Sequence, residues 1–162
     1  MNEERSIQMD RMRFTKNTFS ANLALLAILF DVLFFISIYE SDKGSWYYTI
    51  LIGASILYNL IFLLAAFLSS EGVKNYNINY AYLLFALGIG QLVRIFIYPV
   101  NARAATVTIQ EKTVEVMSSG QFMRVVLYLV LSAACCFAAG AVGVSKSKAL
   151  SAHLASMNSQ TT

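Results

Sequence analysis

Apolar residues in this chain fall into four long blocks, approximately 21–39, 46–68, 78–98 and 122–144, each bounded by residues that prefer water or the membrane interface. A helix needs about 20 mostly apolar residues to cross a hydrocarbon core roughly 30 Å thick, at about 1.5 Å of rise per residue. Every block reaches that length, so the pattern predicts an all-α membrane protein, a four-transmembrane-helix antiparallel bundle. What remains is a first tail (1–20), short connections at 40–45 and 69–77, a longer connection at 99–121 and a final tail (145–162). None of these pieces is large enough to bury a core of its own. The short connections make helices one and two, and two and three, antiparallel neighbours.

Composition points the same way: 57% of the 162 residues are hydrophobic and 13% charged, with a mean hydropathy of +0.60. The first block follows some twenty mostly polar residues and contains Asp31, with no small-residue cleavage pattern after it, so it is expected to stay as an anchor. Pro99 is the single proline and should end the third helix, because it cannot continue the hydrogen-bond ladder. Cys135 and Cys136 are adjacent inside the fourth block, which excludes a disulfide framework and a C-x-x-C redox pair and leaves them as small packing residues. The net charge of +3 is spread along the chain and builds no aromatic-lined basic patch, so nucleic acid is excluded as a partner. Contact with anionic lipid head groups fits this charge better.

Four crossings put both ends on one side, and Lys and Arg near helix ends are enriched on the cytoplasmic side. Cytoplasmic termini place Arg5, Arg11, Arg13, Lys16, Lys74, Lys146 and Lys148 inside, against Lys43, Arg94, Arg103, Lys112 and Arg124 outside or near the outer ends. The expected arrangement is therefore a multi-pass protein of the cell membrane with both tails cytoplasmic. Tyr39, Trp46, Tyr47, Tyr48 and Tyr98 would form an outer aromatic belt, and Phe14, Phe19, Tyr76, Tyr80 and Tyr82 an inner one. In the first tail, Ile7, Met9, Met12, Phe14 and Phe19 alternate with Arg5, Arg11, Arg13 and Lys16, a pattern open to a short interfacial helix or a solvated tail. The stretch 106–116 alternates β-branched with polar residues around a polar centre, which predicts a small extracytoplasmic β-hairpin turning at 110–113. Such a hairpin needs a surface, either its own helix ends or another protein.

Asp31 lies near the middle of the first block, where a charge costs about 2.5–3.5 kcal/mol to insert, so it requires a partner. Ala24 and Ala27 stand one and two turns before it on the same face. On the third helix Gln91, Arg94 and Tyr98 follow i, i+3, i+7 spacing and form a polar stripe. Counting helical rise puts Asp31 and Arg94 within roughly 7 Å of each other in depth. Asn59, with Ser55 one turn before it, adds a polar face on the second helix. The cluster Asp31, Asn59, Gln91 and Arg94 reads as interhelical glue, as a proton- or solute-binding site, or as contacts to a partner membrane protein. On the fourth helix Ser132, Cys136, Ala139, Gly140 and Gly143 make a small-residue face, open to internal packing or to another subunit.

Signatures of catalysis are missing. His153 is the only histidine and has no Cys or carboxylate cluster nearby, so no metal site is expected. There is no phosphate-binding glycine loop of the P-loop type, Gly88 and Gly90 fall inside an apolar helix, and no serine sits in a nucleophile elbow. The chain is read as a non-enzyme without cofactors.

The segments VLFFISIYES (32–41), 48–76 with its ending YNLIFLLAAFLSSEGVKNY, and VRIFIYPVNA (93–102) resemble a group of small four-span membrane proteins of clostridial bacteria found beside sugar-type ABC transporter components. The resemblance implies an accessory membrane subunit, with a permease and an ATPase as partners that supply translocation and energy. It carries no family site onto particular residues. Against it stands a small self-associating transporter or channel using Asp31 and Arg94, and an isolated structural membrane protein.

Overall fold

The computed structural model describes residues 15–38, 46–109 and 112–160. Residues 1–14 of the first tail, the connection at 40–45 and Tyr39 lie outside the described residues, as do the side chains of Trp46, Tyr47 and Tyr48, while Thr18, Phe19 and Ser20 of the expected tail already belong to the first helix. The chain forms α1 (Thr18–Ile38), α2 (Trp46–Lys74), α3 (Ile78–Ile97), a short α4 (Pro99–Ala104), strands β1 (Thr106–Ile109) and β2 (Lys112–Glu115), and a 42-residue α5 (Ser119–Gln160). Four of the helices are long and apolar enough to cross a membrane. Their outward side chains are large and apolar, among them Leu29, Ile61, Leu64, Phe96 and Leu127. That distribution suits a hydrocarbon solvent and not water.

Each helix runs antiparallel to its neighbours. Gln121 at the start of α5 donates to the Ser37 carbonyl near the end of α1 at 2.9 Å, Ser132 to the Ala27 carbonyl at 2.9 Å, and Ser20 to the Ala139 carbonyl at 2.6 Å. The Asn17 amide donates to the Lys74 carbonyl at 2.9 Å, and Ser70 to the Ala21 carbonyl at 3.1 Å, joining the end of α2 to the beginning of α1. In a medium without competing water, such hydroxyl-to-carbonyl bonds hold apolar helices in register. The small residues of α5 make the closest approaches. A Cβ on Gly140 would lie 3.0 Å from the Ala81 carbonyl, and one on Gly143 3.0 Å from the Ala81 methyl. Ser132, Cys136 and Ala139 are fully buried beside them. This face is therefore packed against the protein's own helices.

Several boundaries differ from the hydropathy pattern. Residues 145–160 of the final segment are helical: α5 continues to Gln160, about 63 Å of helix or roughly twice a hydrocarbon thickness, and its last turns, past the Ser147 bond to the Tyr76 carbonyl, extend beyond the bundle. Likewise α2 runs past residue 68 to Lys74. The turn into α3 is then only three residues long. It is a Schellman closure in which Asn77 and Tyr76 amides donate to the Gly72 and Val73 carbonyls, with Tyr76 at φ 60°. Asn77 caps α3 by accepting from the Asn79 amide at 3.1 Å. The ring of Tyr80 lies directly on Gly72, where a Cβ would come within 2.1 Å of ring carbons. Gly72→Ala is expected to lower stability by about 1–3 kcal/mol through overpacking, read as a lower unfolding temperature in detergent.

Helix α3 ends at Ile97, and Pro99 opens α4 at its first turn, so the connection expected at 99–121 begins with a short helix. Asn101 donates to the Phe96 and Ile97 carbonyls at 3.2 and 2.9 Å, partners that the proline break would otherwise leave unpaired. Tyr98 is not part of an interfacial belt; at 2% exposure it is among the largest fully buried side chains. After α4, β1 and β2 pair antiparallel in the register Thr106–Glu115, Val107–Val114, Thr108–Thr113 and Ile109–Lys112. Lys112 and Thr113, expected in the turn, belong to β2, and residues 110–111 lie outside the described residues. The strands are tied to the helix ends by the Val116 amide donating to the Ala105 carbonyl at 3.1 Å. Arg103 adds an ion pair to Glu115 and a 2.6 Å bond to the Ser119 hydroxyl. Arg103→Ala should speed amide exchange across β1 and β2 several-fold while leaving exchange in α1 and α3 unchanged.

Candidate functional site: a buried polar layer

All four membrane helices change chemistry at one level. On α1, Ala24 and Ala27 give way to Asp31 and then to Phe34 and Ile38; on α3, Ala81 and Leu84 give way to Gln91 and Arg94 and then to Tyr98. On α5 the order is Ala139 and Cys136, Ser132, then Leu129 and Val125; on α2, Phe62 precedes Asn59 and Ser55 toward the same end. Two separate apolar cores result, one of mainly small residues and one of larger ones, with a polar layer between them.

The layer is built around Asp31, which is fully buried. Its Oδ1 accepts from Arg94 Nη1 at 3.1 Å and from Gln91 Nε2 at 2.9 Å. Arg94 Nη2 donates to both the carbonyl and the hydroxyl of Ser55, so one guanidinium clamps α1, α2 and α3 together. Its planar fork lies over the rings of Phe34 at 4.1 Å and Tyr58 at 4.8 Å, contacts worth about 0.5–2 kcal/mol each where water is excluded. Gln91 also donates to Ser132 Oγ at 3.4 Å, and the Ser132 hydroxyl donates in turn to the Ala27 carbonyl. Thus Asp31, Gln91, Arg94, Ser55 and Ser132 form one bonded set spanning all four membrane helices. Ser132→Ala would remove its bridge between α1, α3 and α5 and should cost about 1 kcal/mol in thermal unfolding.

Asn59 occupies the same level, one turn from Ser55, but stands apart from that bonded set. Its Oδ1 is buried without a hydrogen-bond partner, as are Asp31 Oδ2, Gln91 Oε1 and Arg94 Nε. Each such atom carries a desolvation cost of about 1–3 kcal/mol. The layer therefore holds more polarity than helix packing alone requires. Phe34 and Tyr58 were not among the polar candidates, although each stands three residues beyond a member of the layer on its own helix, Asp31 and Ser55 respectively. Cys136 packs in the small-residue core, and both thiols are free. Among the described residues no group of three His, Cys, Asp or Glu side chains is arranged to hold a metal ion.

Between α2 and α3, beside the layer, lies a cleft of about 460 Å³ whose wall includes Ser55, Tyr58 and Arg94. These features define the class: a multi-pass membrane protein whose helices close around a buried ion pair. No family model, curated protein or solved structure matches the chain.

Proposed function

We propose that this chain is a non-enzymatic subunit of a larger membrane transport assembly, an accessory chain that stands beside a permease and an ATPase as its sequence resemblance implies. The observation that carries this reading is the pair of apolar cores on either side of the Asp31 layer. They fill the interior above and below the buried charges, which argues against a solute path through a single copy. A four-helix bundle of this width then serves better as a scaffold than as a conduit. The outward face of α2 supplies a surface for a partner: Leu57, Leu60, Ile61, Leu64, Phe67 and Leu68 recur at helical spacing and are about half or more exposed. The free edge of the strand pair offers a second contact, on the extracytoplasmic side in this reading.

The chain sits in the cell membrane with both termini cytoplasmic. Lys74, Lys146 and Lys148 gather at the bundle end where α1 begins, as the bonds from Asn17 to Lys74 and from Ser147 to Tyr76 indicate, and the cluster Arg5, Arg11, Arg13 and Lys16 precedes that helix. A second reading, a small self-associating transporter that uses Asp31 and Arg94, draws on the unpaired polar atoms of the layer. Purification from native membranes in mild detergent, with mass spectrometry of what co-elutes, separates the two. The first predicts a permease and an ATPase in fixed ratio; a clean homo-oligomer would overturn it.

A further inference from the structure

We propose that the cleft between α2 and α3 is a binding site for a lipid of no net charge, held by a carbonyl or ester oxygen against Arg94, Ser55 and Tyr58 with its chain along the apolar wall. The volume of about 460 Å³ falls in the range of small-molecule sites, and the wall is mostly apolar, with a few polar groups at one place. Small side chains keep it open, Ala54 from α2 and Ala86 from α3. Gly90 lets the Tyr58 hydroxyl lie on the α3 backbone, since a Cβ there would meet that oxygen at 2.4 Å. Helix α2 is also the least covered of the four, with 17% of its apolar window buried against 33–39% in the others, so the cleft opens toward lipid.

Charge selects the head group. Arg94 lines the cleft and Asp31 does not, so an entering molecule meets donors: the guanidinium and two hydroxyls. Yet Arg94 is already neutralised by Asp31 at 3.1 Å, and an anionic ligand would leave a second negative charge unbalanced inside the membrane. An uncharged acceptor satisfies the donors without that cost. Depth agrees. Ser55 stands nine residues into α2, about 14 Å along the helix, which is below head-group level and within reach of a carbonyl but not of a bulky polar head.

The test uses the full chain in phosphatidylcholine nanodiscs with a diacylglycerol carrying a diazirine midway along one acyl chain. After photolysis, label should concentrate on peptides covering 46–58 and 86–98. Ala54→Phe, which fills the cleft from its exposed α2 wall, should reduce that label at least ten-fold, and Val93→Phe from the opposite wall should do the same. Tyr58→Phe should weaken it several-fold, and Leu64→Phe on the outer face of α2 should leave it unchanged. Label spread evenly over the four helices, or unaffected by both filling variants, overturns the proposal. So does stronger competition by excess palmitate than by monoolein, which would make the occupant an anion.

Discussion

Asp31→Asn alone and Arg94→Gln alone should each destabilise the bundle by about 3–5 kcal/mol, whereas the double substitution should recover more than half of that loss. The expectation follows from geometry. Arg94 is 5% exposed and Asp31 fully buried, and each is the other's counter-charge at 3.1 Å. Removing either leaves an uncompensated charge in a buried site, and such a charge costs far more than the pair itself contributes. Removing both leaves two neutral amides among Gln91, Ser55 and Ser132, which can still bond to one another. Thermal unfolding followed by fluorescence-detected size exclusion in mild detergent reads all four states of the cycle. Additive losses, with no coupling between the two positions, would mean that the ion pair does not hold the helices together.

The second large effect belongs to the other side of the layer. Gly140→Leu should cost about 3 kcal/mol, because the added side chain must displace both the Ala81 backbone and the Phe85 ring, each 3.0 Å from the position of its first carbon. Ala138→Leu, on the exposed side of the same helix, should change stability by no more than about 0.5 kcal/mol. If the two substitutions are equivalent, α5 does not pack on α3 through its small residues.

The four crossings are legible in sequence because apolar length and the thickness of a bilayer are the same measurement. The partnership of Asp31 with Gln91 and Arg94 is legible too, since a charge inside an apolar block demands a partner and helical rise limits where it can be. What hydropathy does not report is where a helix ends. After residue 144 the chain becomes polar, but Ala149, Leu150, Ala152, Leu154 and Ala155 remain strong helix formers, and α5 continues on propensity after the membrane signal has stopped. Residues 69–74 extend α2 for a different reason: Ser70 bonds to the Ala21 carbonyl and Val73 is buried, so packing holds a segment whose Ser and Gly residues are weak helix formers. Tyr98 shows the opposite difficulty: an aromatic ring beside a proline looks interfacial, and only its place in a core built from α1, α4 and α5 buries the ring. The roles of Phe34 and Tyr58 were hidden because cation–π contacts leave no mark in polarity. Their spacing from Asp31 and Ser55 was the available signal.

Cysteine accessibility in intact cells tests the central claim, four crossings around a buried polar layer. In a background with Cys135 and Cys136 replaced by serine, single cysteines are placed at Asn75, Glu115, Ser132 and His153 and treated with a membrane-impermeant maleimide before and after lysis. Asn75→Cys and His153→Cys should react from one side of the membrane, Glu115→Cys from the other, and Ser132→Cys from neither. Labelling of Asn75→Cys and Glu115→Cys from the same side, or of Ser132→Cys by the aqueous reagent in the folded protein, would contradict the account.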